Sequence, residues 1–269
     1  MNNLTERQKR EIEYHKEHAA LLQTTRHPVN FDIVTSPKRR WWNAYWSVWT
    51  FLRDIPLQER KVLVVGCGAG DDALIFAELG ATVSAFDLSL EMLALAVRKA
   101  KESGLTISFE QMPAEKMTYR SGTFDLVFAR DILHHVDIPA TMDEIVRVSK
   151  PGAIFVVDEI YSHSITDVIR RSWIVERLLY PKMKGFIYNG SKPYITQDER
   201  KMSEGDIAQV SSRLSSVQCK KFYNMVVTRL IPDTFTPTAK LDRIALTILG
   251  SIGRFVAGRI VLVGTLRKV

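Results

Sequence analysis

A chain of 269 residues, 46% hydrophobic and 25% charged, can bury a full core in one generous domain or in one domain with appendages. Its two cysteines, Cys67 and Cys219, exclude a disulfide framework and a cysteine-rich metal site, and they fit a reducing, cytoplasmic setting. The formal charge of +7 favours anionic partners such as nucleic acid, phospholipid headgroups or an acidic substrate, and it fits equally a surface that is merely basic.

The amino-terminal stretch is too charged to read as a secretory signal. No segment offers the ~20 apolar residues of a membrane span. The nearest approach, close to the carboxyl end, is interrupted by Arg243, Arg254 and Arg259. Residues 4–24 read as a polar helix with Thr5 as N-cap and charges on its exposed face. After a loop containing His27-Pro28, Ser36-Pro37 announces a second helix, because serine caps well and proline's missing N–H costs nothing in the first turn.

From Lys61 the pattern becomes α/β alternation. Strands are expected at 62–65, 83–87, 107–110, 124–129 and 154–158, with helices at 71–79, from Ser89 to about Ser103, and near 140–149. Gly80 and Gly104 sit where helix-terminating glycines belong. Strands and helices at this spacing imply a parallel sheet covered on both faces. Beyond Glu159 a long helix is expected over 164–184, then an irregular stretch with Gly185, Gly190 and Pro193. Ser203-x-x-Asp206 resembles a capping box. Closing strands are expected at 218–230 and 259–266, with a helix at about 238–256 between them. The fold class is therefore α/β: a Rossmann-like, seven-stranded, mostly parallel sheet with helices on both faces, an N-terminal helical cap and a helical insertion near the C-terminus.

The strongest chemical signal is VLVVGCGAG followed, 21 residues after Gly66, by Asp87 at the end of the next strand. Glycines at 66, 68 and 70 let the backbone turn sharply and approach a ligand. An acid ending the second strand is placed to accept hydrogen bonds from ribose hydroxyls. Dinucleotide sites want a third glycine where this chain has Asp71, followed by Asp72. Two carboxylates at a helix start repel a pyrophosphate and suit a ligand bearing a sulfonium and an ammonium group, which counts against a nicotinamide-dependent oxidoreductase.

VLVVGCGAGDDA, VSAFDLSLEML, PAEKMTYRSGTFDLVFARDILHHV and IVRVSKPGAIFVVDE together resemble the class I methyltransferase domain over residues about 60–160. The likeness is to the small-molecule branch that includes ubiquinone/menaquinone and sterol C-methyltransferases. The resemblance implies S-adenosylmethionine as cofactor. It also implies that Gly66, Cys67 and Gly68 line its methionine portion, Asp87 holds the ribose, and Leu88 and Met92 lie near the adenine. Ala114 and Glu115 then meet the adenine edge, and Arg130 lies beside the methionine end. The family usually has an aspartate where this chain has Pro113. On this reading residues 1–58 are an N-terminal helical cap, 59–160 the cofactor-binding core, and 161–269 the substrate-side helices and closing strands of the same domain.

Methyl transfer to oxygen or nitrogen needs a proton removed, and His134 and His135, just past the fourth strand, are the candidates for that task. Each reads equally as a capping or packing histidine. Asp131, Glu159, Tyr161 and His163 fall near the carboxyl ends of strands four and five, where open sheets bind ligands. Histidines and cysteines are scattered without ligand spacing, so no metal site is expected. Trp42, Tyr45, Trp46 and Trp49 recur at helical spacing, with Trp41 beside them. They read either as an amphipathic helix docked on the core or as an aromatic lid over an apolar acceptor, joined by Tyr14 and His15. The stripe Leu241, Ile244, Ala245, Ile248, Leu249, Ile252, Phe255 and Val256 reads as core-facing, or as a helix lying in a membrane interface. The expected activity is methylation of carbon or oxygen on a small or lipid-linked acceptor, in the cytoplasm or peripheral to a membrane. Rival readings are a cofactor-binding protein without transfer activity and an RNA methyltransferase. Nucleic acid is the weaker partner, since no RNA-binding appendage is recognisable, and the oligomeric state stays open.

Overall fold

A computed structural model of the protein describes residues 4–24, 29–36, 40–179, 181, 200–225, 231 and 235–267. Seven strands form one sheet in the order β3-β2-β1-β4-β5-β7-β6. They are β1 (Lys61–Val65), β2 (Thr82–Asp87), β3 (Ser108–Gln111), β4 (Phe124–Arg130), β5 (Ser149–Ile160), β6 (Leu214–Tyr223) and β7 (Arg259–Leu266). β1 to β5 pair in parallel, and β7 runs antiparallel to both β5 and β6. The central strands are continuous apolar runs because both faces are covered: Leu63 and Val65 enter one core layer, Val62 and Val64 the other.

On one face lie α3 (Ala44–Leu52) and α4 (Asp71–Glu78); on the other lie α6 (Ile138–Val148) and α8 (Glu204–Ser212). α5 (Leu90–Glu102) packs on β2 and β3. α1 (Glu6–Thr24) lies across α5, with Ala19 against Met92 and Leu95, and a single turn, α2 (Asp32–Thr35), precedes α3. Local capping follows the sequence signals. At the start of α1 the Gln8 side chain accepts from the Thr5 amide and the Thr5 hydroxyl accepts from the Gln8 amide. Ser89 accepts from the Met92 amide, and Ser203 and Asp206 form a reciprocal capping box.

Four expectations need correction. The tryptophan helix starts at Ala44, where the Asn43 side chain accepts from the Trp46 amide at 3.2 Å, so Trp42 precedes the helix; Pro37 lies outside the described residues. The helix expected over 164–184 ends as α7 (Ser164–Arg170), and a π-helical turn follows at Val175–Leu179. Residues 180 and 182–199 lie outside the described residues. β6 begins four residues before the expected position because it is an edge strand, largely exposed, and carries little apolar pattern; of the expected strand, 226–230 lie outside the described residues.

The fourth correction concerns the apolar stripe. α9 (Thr236–Leu249) breaks at Gly250, whose φ of +52° glycine tolerates, and a 3-10 turn continues through Gly250–Phe255. Its buried face is Ala239, Asp242 and Leu246, whereas Leu241, Ile244, Ile248 and Ile252 are exposed. A polar contact explains this rotation: Asp242 Oδ2 accepts from the Met225 amide at 2.8 Å, so the carboxylate turns inward. Because Tyr223 and Ile160 both register near Arg259, the segment between β6 and β7 and the segment after β5 leave the sheet at its carboxyl edge.

Candidate active site

The chain leaves β1 through Gly66, at φ +61°, where an added Cβ would sit 2.5 Å from the Ile132 side chain. Gly68 is different: the nearest atom to a Cβ there is the Met92 methyl at 4.0 Å, so its face is open. The Gly68 amide donates to Asp87 Oδ2 at 2.8 Å, and the Ser89 amide donates to Asp87 Oδ1 at 2.9 Å. One carboxylate thus joins the glycine bend to the end of β2, and it retains acceptor capacity because a carboxylate offers about four lone-pair sites.

These groups line a cavity of about 380 Å3. Around the bend its wall is Gly66, Cys67 and Gly68, and Asp87, Leu88 and Met92 follow along the next strand and helix. Ala114 and Glu115 form another side, beside Met112 and Pro113. Arg130 and His135 close the end near β4. Burial pushes the Cys67 thiol well up, so it stays protonated among these walls.

The two acids that start α4 line the cavity too, but each already holds a cation. Lys99 meets Asp71 at 2.5 Å, and Arg130 Nε donates to Asp72 Oδ2 at 2.7 Å. Burial raises the pKa of Asp72 against the pull of Arg130. The Tyr45 hydroxyl donates to Asp72 Oδ1 at 3.1 Å, and its ring lies 4.5 Å from the Arg130 guanidinium, which fixes that cation's direction. Charge at this helix start is therefore near balance rather than strongly negative.

His134 and His135 separate. His135 reaches the cavity; His134 is buried off it, with Nδ1 2.7 Å from Glu159 Oε2. Glu159 Oε1 accepts the amides of Ile132 at 2.7 Å and Leu133 at 2.5 Å, so this pair holds the turn after β4. Asp131, in a left-handed conformation at φ +54°, also lines the cavity. Arg259 donates to Asp131 at 2.8 Å and to Asp158 at 2.6 Å. Burial pushes Asp158 up to about 6 against the attraction of Arg259. Burial also opposes ionisation of Asp131, but Arg259 prevails and holds it below the usual value.

Tyr14, Trp42, Tyr45, Trp46 and Tyr161 do not line this cavity. Trp46 and Trp49 are core residues, Trp49 stacking 5.9 Å from Phe128 and 4.9 Å from Phe76. Burial against the sheet removes large apolar rings from water and outweighs their use as a lid. Trp42 sits under Lys240, Tyr14 lies edge-on to His15, and Tyr161 is buried against Phe222. The cover is α1 instead, through Gln8, Glu11, His15, His18 and Leu22. These residues carry no motif, and their spacing of three and four is the one sequence signal that they share a face. Among the described residues no cluster of histidine, cysteine and carboxylates is arranged to hold a metal ion.

The strand order and the meeting of a glycine bend with the next strand's acid define a nucleoside-binding, Rossmann-like methyltransferase fold. Residues 63–157 match the family model described as a methyltransferase domain, and the chain carries a class I S-adenosylmethionine-dependent methyltransferase domain. Among curated proteins it is similar to the ubiquinone biosynthesis O-methyltransferase of Paraburkholderia xenovorans (strain LB400), at 36% identity over 142 residues, 48% of this chain and 61% of that protein. The protein of the same name from Methylococcus capsulatus is 33% identical over 139 residues, 47% and 59% of the two chains. The chain thus spans about three-fifths of the length of these relatives. In fold it is similar to geranyl diphosphate C-methyltransferase from Streptomyces coelicolor A3(2), with a TM-score of 0.60 at 13% identity over 99% of this chain and 100% of that one. Magnesium protoporphyrin IX methyltransferase from Synechocystis PCC 6803 gives 0.58 at 14% identity over 97% and 100%.

Proposed function

We propose that this chain methylates an oxygen or carbon atom of a small, lipid-like acceptor in the cytoplasm, at a membrane surface. The observation that carries the reading is the single cavity into which the Gly68 face, Asp87 and His135 all open. Its volume suits one small-molecule ligand, and its walls fit a nucleoside: an open glycine face, a carboxylate with spare acceptor sites, and the apolar Leu88, Met92 and Ala114.

S-adenosylmethionine, when bound, supplies a methyl group on a positively charged sulfur. In this assignment Gly66, Cys67 and Gly68 hold the methionine portion, with Arg130 beside it. Asp87 accepts from the ribose, Leu88 and Met92 flank the adenine, and Ala114 and Glu115 meet its edge. Glu115 is partly committed, since Gln8 donates to it at 3.2 Å and the Asp137 amide at 3.1 Å. Residues 1–58 act as a cap, 59–160 as the cofactor-binding core, and 161–269 as the acceptor side. The ubiquinone O-methyltransferase relatives favour oxygen as the target. Comparing metabolites and lipids from cells with and without the gene tests the activity. A molecule one methylene heavier, present only with the gene, is expected; no such difference together with no S-adenosylhomocysteine binding would count against it.

A lipid-like acceptor is supported by the outward faces of the two carboxyl-edge segments. Leu241, Ile244, Ile248 and Ile252 are exposed on one, and Val168, Ile169, Trp173 and Ile174 on the other. The hydroxyl of Thr166 donates to the Phe255 carbonyl and ties the two together. Six cations, Arg170, Arg171, Arg177, Lys240, Arg243 and Arg254, stand against Asp167, Glu176 and the buried Asp242, which suits an anionic lipid surface. No described helix is long and apolar enough to cross a membrane. The double substitution Ile244→Asp and Ile248→Asp is expected to weaken binding to phosphatidylserine-containing vesicles at least about tenfold. Circular dichroism should stay unchanged, because both side chains already face water. Equal sedimentation of both forms with vesicles would remove the membrane from the proposal.

A further inference from the structure

We infer that Glu11, on α1, is the positioning residue that holds His135 as its Nδ1–H tautomer, leaving Nε2 as the basic nitrogen of the site. Glu11 Oε1 lies 3.0 Å from His135 Nδ1. An ionised carboxylate has no proton to give, so the hydrogen in this bond belongs to the ring nitrogen, and the neutral imidazole must then keep its lone pair on Nε2. Both side chains are sheltered, at 7% and 11% exposure, where the bond is stronger than in water and an unbonded carboxylate would be costly.

The placement of Glu11 is over-determined. Arg7 Nη2 donates to the His134 carbonyl at 2.6 Å, and Gln8 Nε2 donates to Glu115 at 3.2 Å, so one face of α1 grips the turn after β4 and the loop after β3 together. Ala19 seats the other end of the helix on α5. The neighbouring His15 lies 3.9 Å from the second oxygen of Glu11. Burial pulls its pKa down, against Asp87 and Glu11, which keeps it neutral.

The adjacent His134 makes a parallel pair with Glu159, but that pair is committed to the backbone of the turn and is sealed from the cavity. Of two histidine–carboxylate pairs, therefore, one shapes the loop and the other faces the ligand. In an oxygen acceptor the O–H bond breaks, its proton passes to His135 Nε2, and its electron pair forms the new O–CH3 bond. The pair of the broken S–CH3 bond stays on sulfur. The imidazolium so formed lies against the Glu11 carboxylate, which stabilises it. This use of the proton rests on the proposed methyl transfer; the tautomer does not.

The test is nitrogen-15 NMR of the full chain labelled at histidine, without ligand, at about pH 8, where an imidazole is neutral. His135 is assigned by the signal missing from His135→Asn. The wild-type chain is expected to show His135 with a protonated Nδ1 and a bare Nε2. Glu11→Ala is expected to convert it to the Nε2–H form that imidazole prefers in water. Glu11→Gln, whose amide oxygen still accepts, should retain Nδ1–H, and Glu13→Ala, on the exposed side of α1, should change nothing. An Nε2–H signal in the wild-type chain overturns the inference even if Glu11→Ala does not fold. So does an unchanged tautomer in folded Glu11→Ala, and if S-adenosylhomocysteine then binds more than tenfold weaker, Glu11 is assigned to the cofactor instead. Failure of the wild-type chain to bind S-adenosylhomocysteine would sink the methyl-transfer reading and leave the tautomer result standing.

Discussion

Replacing Asp87 by alanine is expected to weaken S-adenosylhomocysteine binding at least about tenfold, equivalent to ~1.4 kcal/mol. Two losses act together. The ribose loses a charged acceptor, a contact worth about 1.5–3 kcal/mol where charge is involved. The amides of Gly68 and Ser89, 2.8 and 2.9 Å from the carboxylate, lose their partner, so the glycine bend loses the bond that ties it to β2. Asp87→Asn keeps the shape but presents an amino group to one of those two amides, and an intermediate loss is expected. Isothermal calorimetry decides: unchanged affinity in Asp87→Ala would show that the cofactor sits elsewhere.

The second large effect lies at Arg259. Its guanidinium is the cation bridging Asp131 and Asp158, and the second oxygen of Asp158 is buried with no hydrogen-bond partner. Arg259→Met is expected to cost about 3–5 kcal/mol at neutral pH, because it leaves the fully buried Asp158 carboxylate, with the more exposed Asp131 beside it, without its counter-charge. The loss should shrink in acid. Asp158, at about 6 in the folded protein, already binds its proton more tightly than an unfolded aspartate. Its contribution to stability is full below the unfolded value of about 3.9 and disappears as pH rises through about 6. Removing Arg259 raises both folded-state values, so the variant should lose more stability than the wild type on going from mildly acidic to neutral pH. Urea unfolding at both pH values measures this. The triple variant with Asp131→Asn and Asp158→Asn should recover most of the loss; if it does not, packing of the arginine stem, rather than charge, holds the edge of the sheet.

Much of the fold was legible because its signals are local. The run 62–70 becomes β1 and its bend, Ser89 caps α5, Gly80 and Gly104 take positive φ after their helices, and Ser203 with Asp206 closes a capping box. Each depends on backbone chemistry within a few residues. The resemblance likewise placed Leu88, Met92, Ala114, Glu115 and Arg130 around one cavity.

What stayed hidden depends on partners far along the chain. The inner face of α1 is polar, so its composition reads as solvent-facing, and only contact with residues more than a hundred positions away shows that it covers the site. The tryptophans read equally as a helix docked on the core and as a lid, because spacing reveals a face but not what it meets; Trp49 packs in the core against Phe76 and Phe128. The stripe of α9 faces outward because one inward aspartate reverses the usual inference from hydrophobicity. The Arg259 bridge spans 101 residues to Asp158, a distance at which no pattern in the sequence pairs charges.

The carboxyl edge divides labour. Turns after β1, β2, β3 and β4 line the cavity, whereas the segments following β5 and preceding β7 carry the outward apolar faces. Under the proposed methyl transfer, altering the outer segments would change the choice of acceptor while the glycine bend and Asp87 are kept, so that one scaffold would serve many chemistries without re-inventing its electrophile.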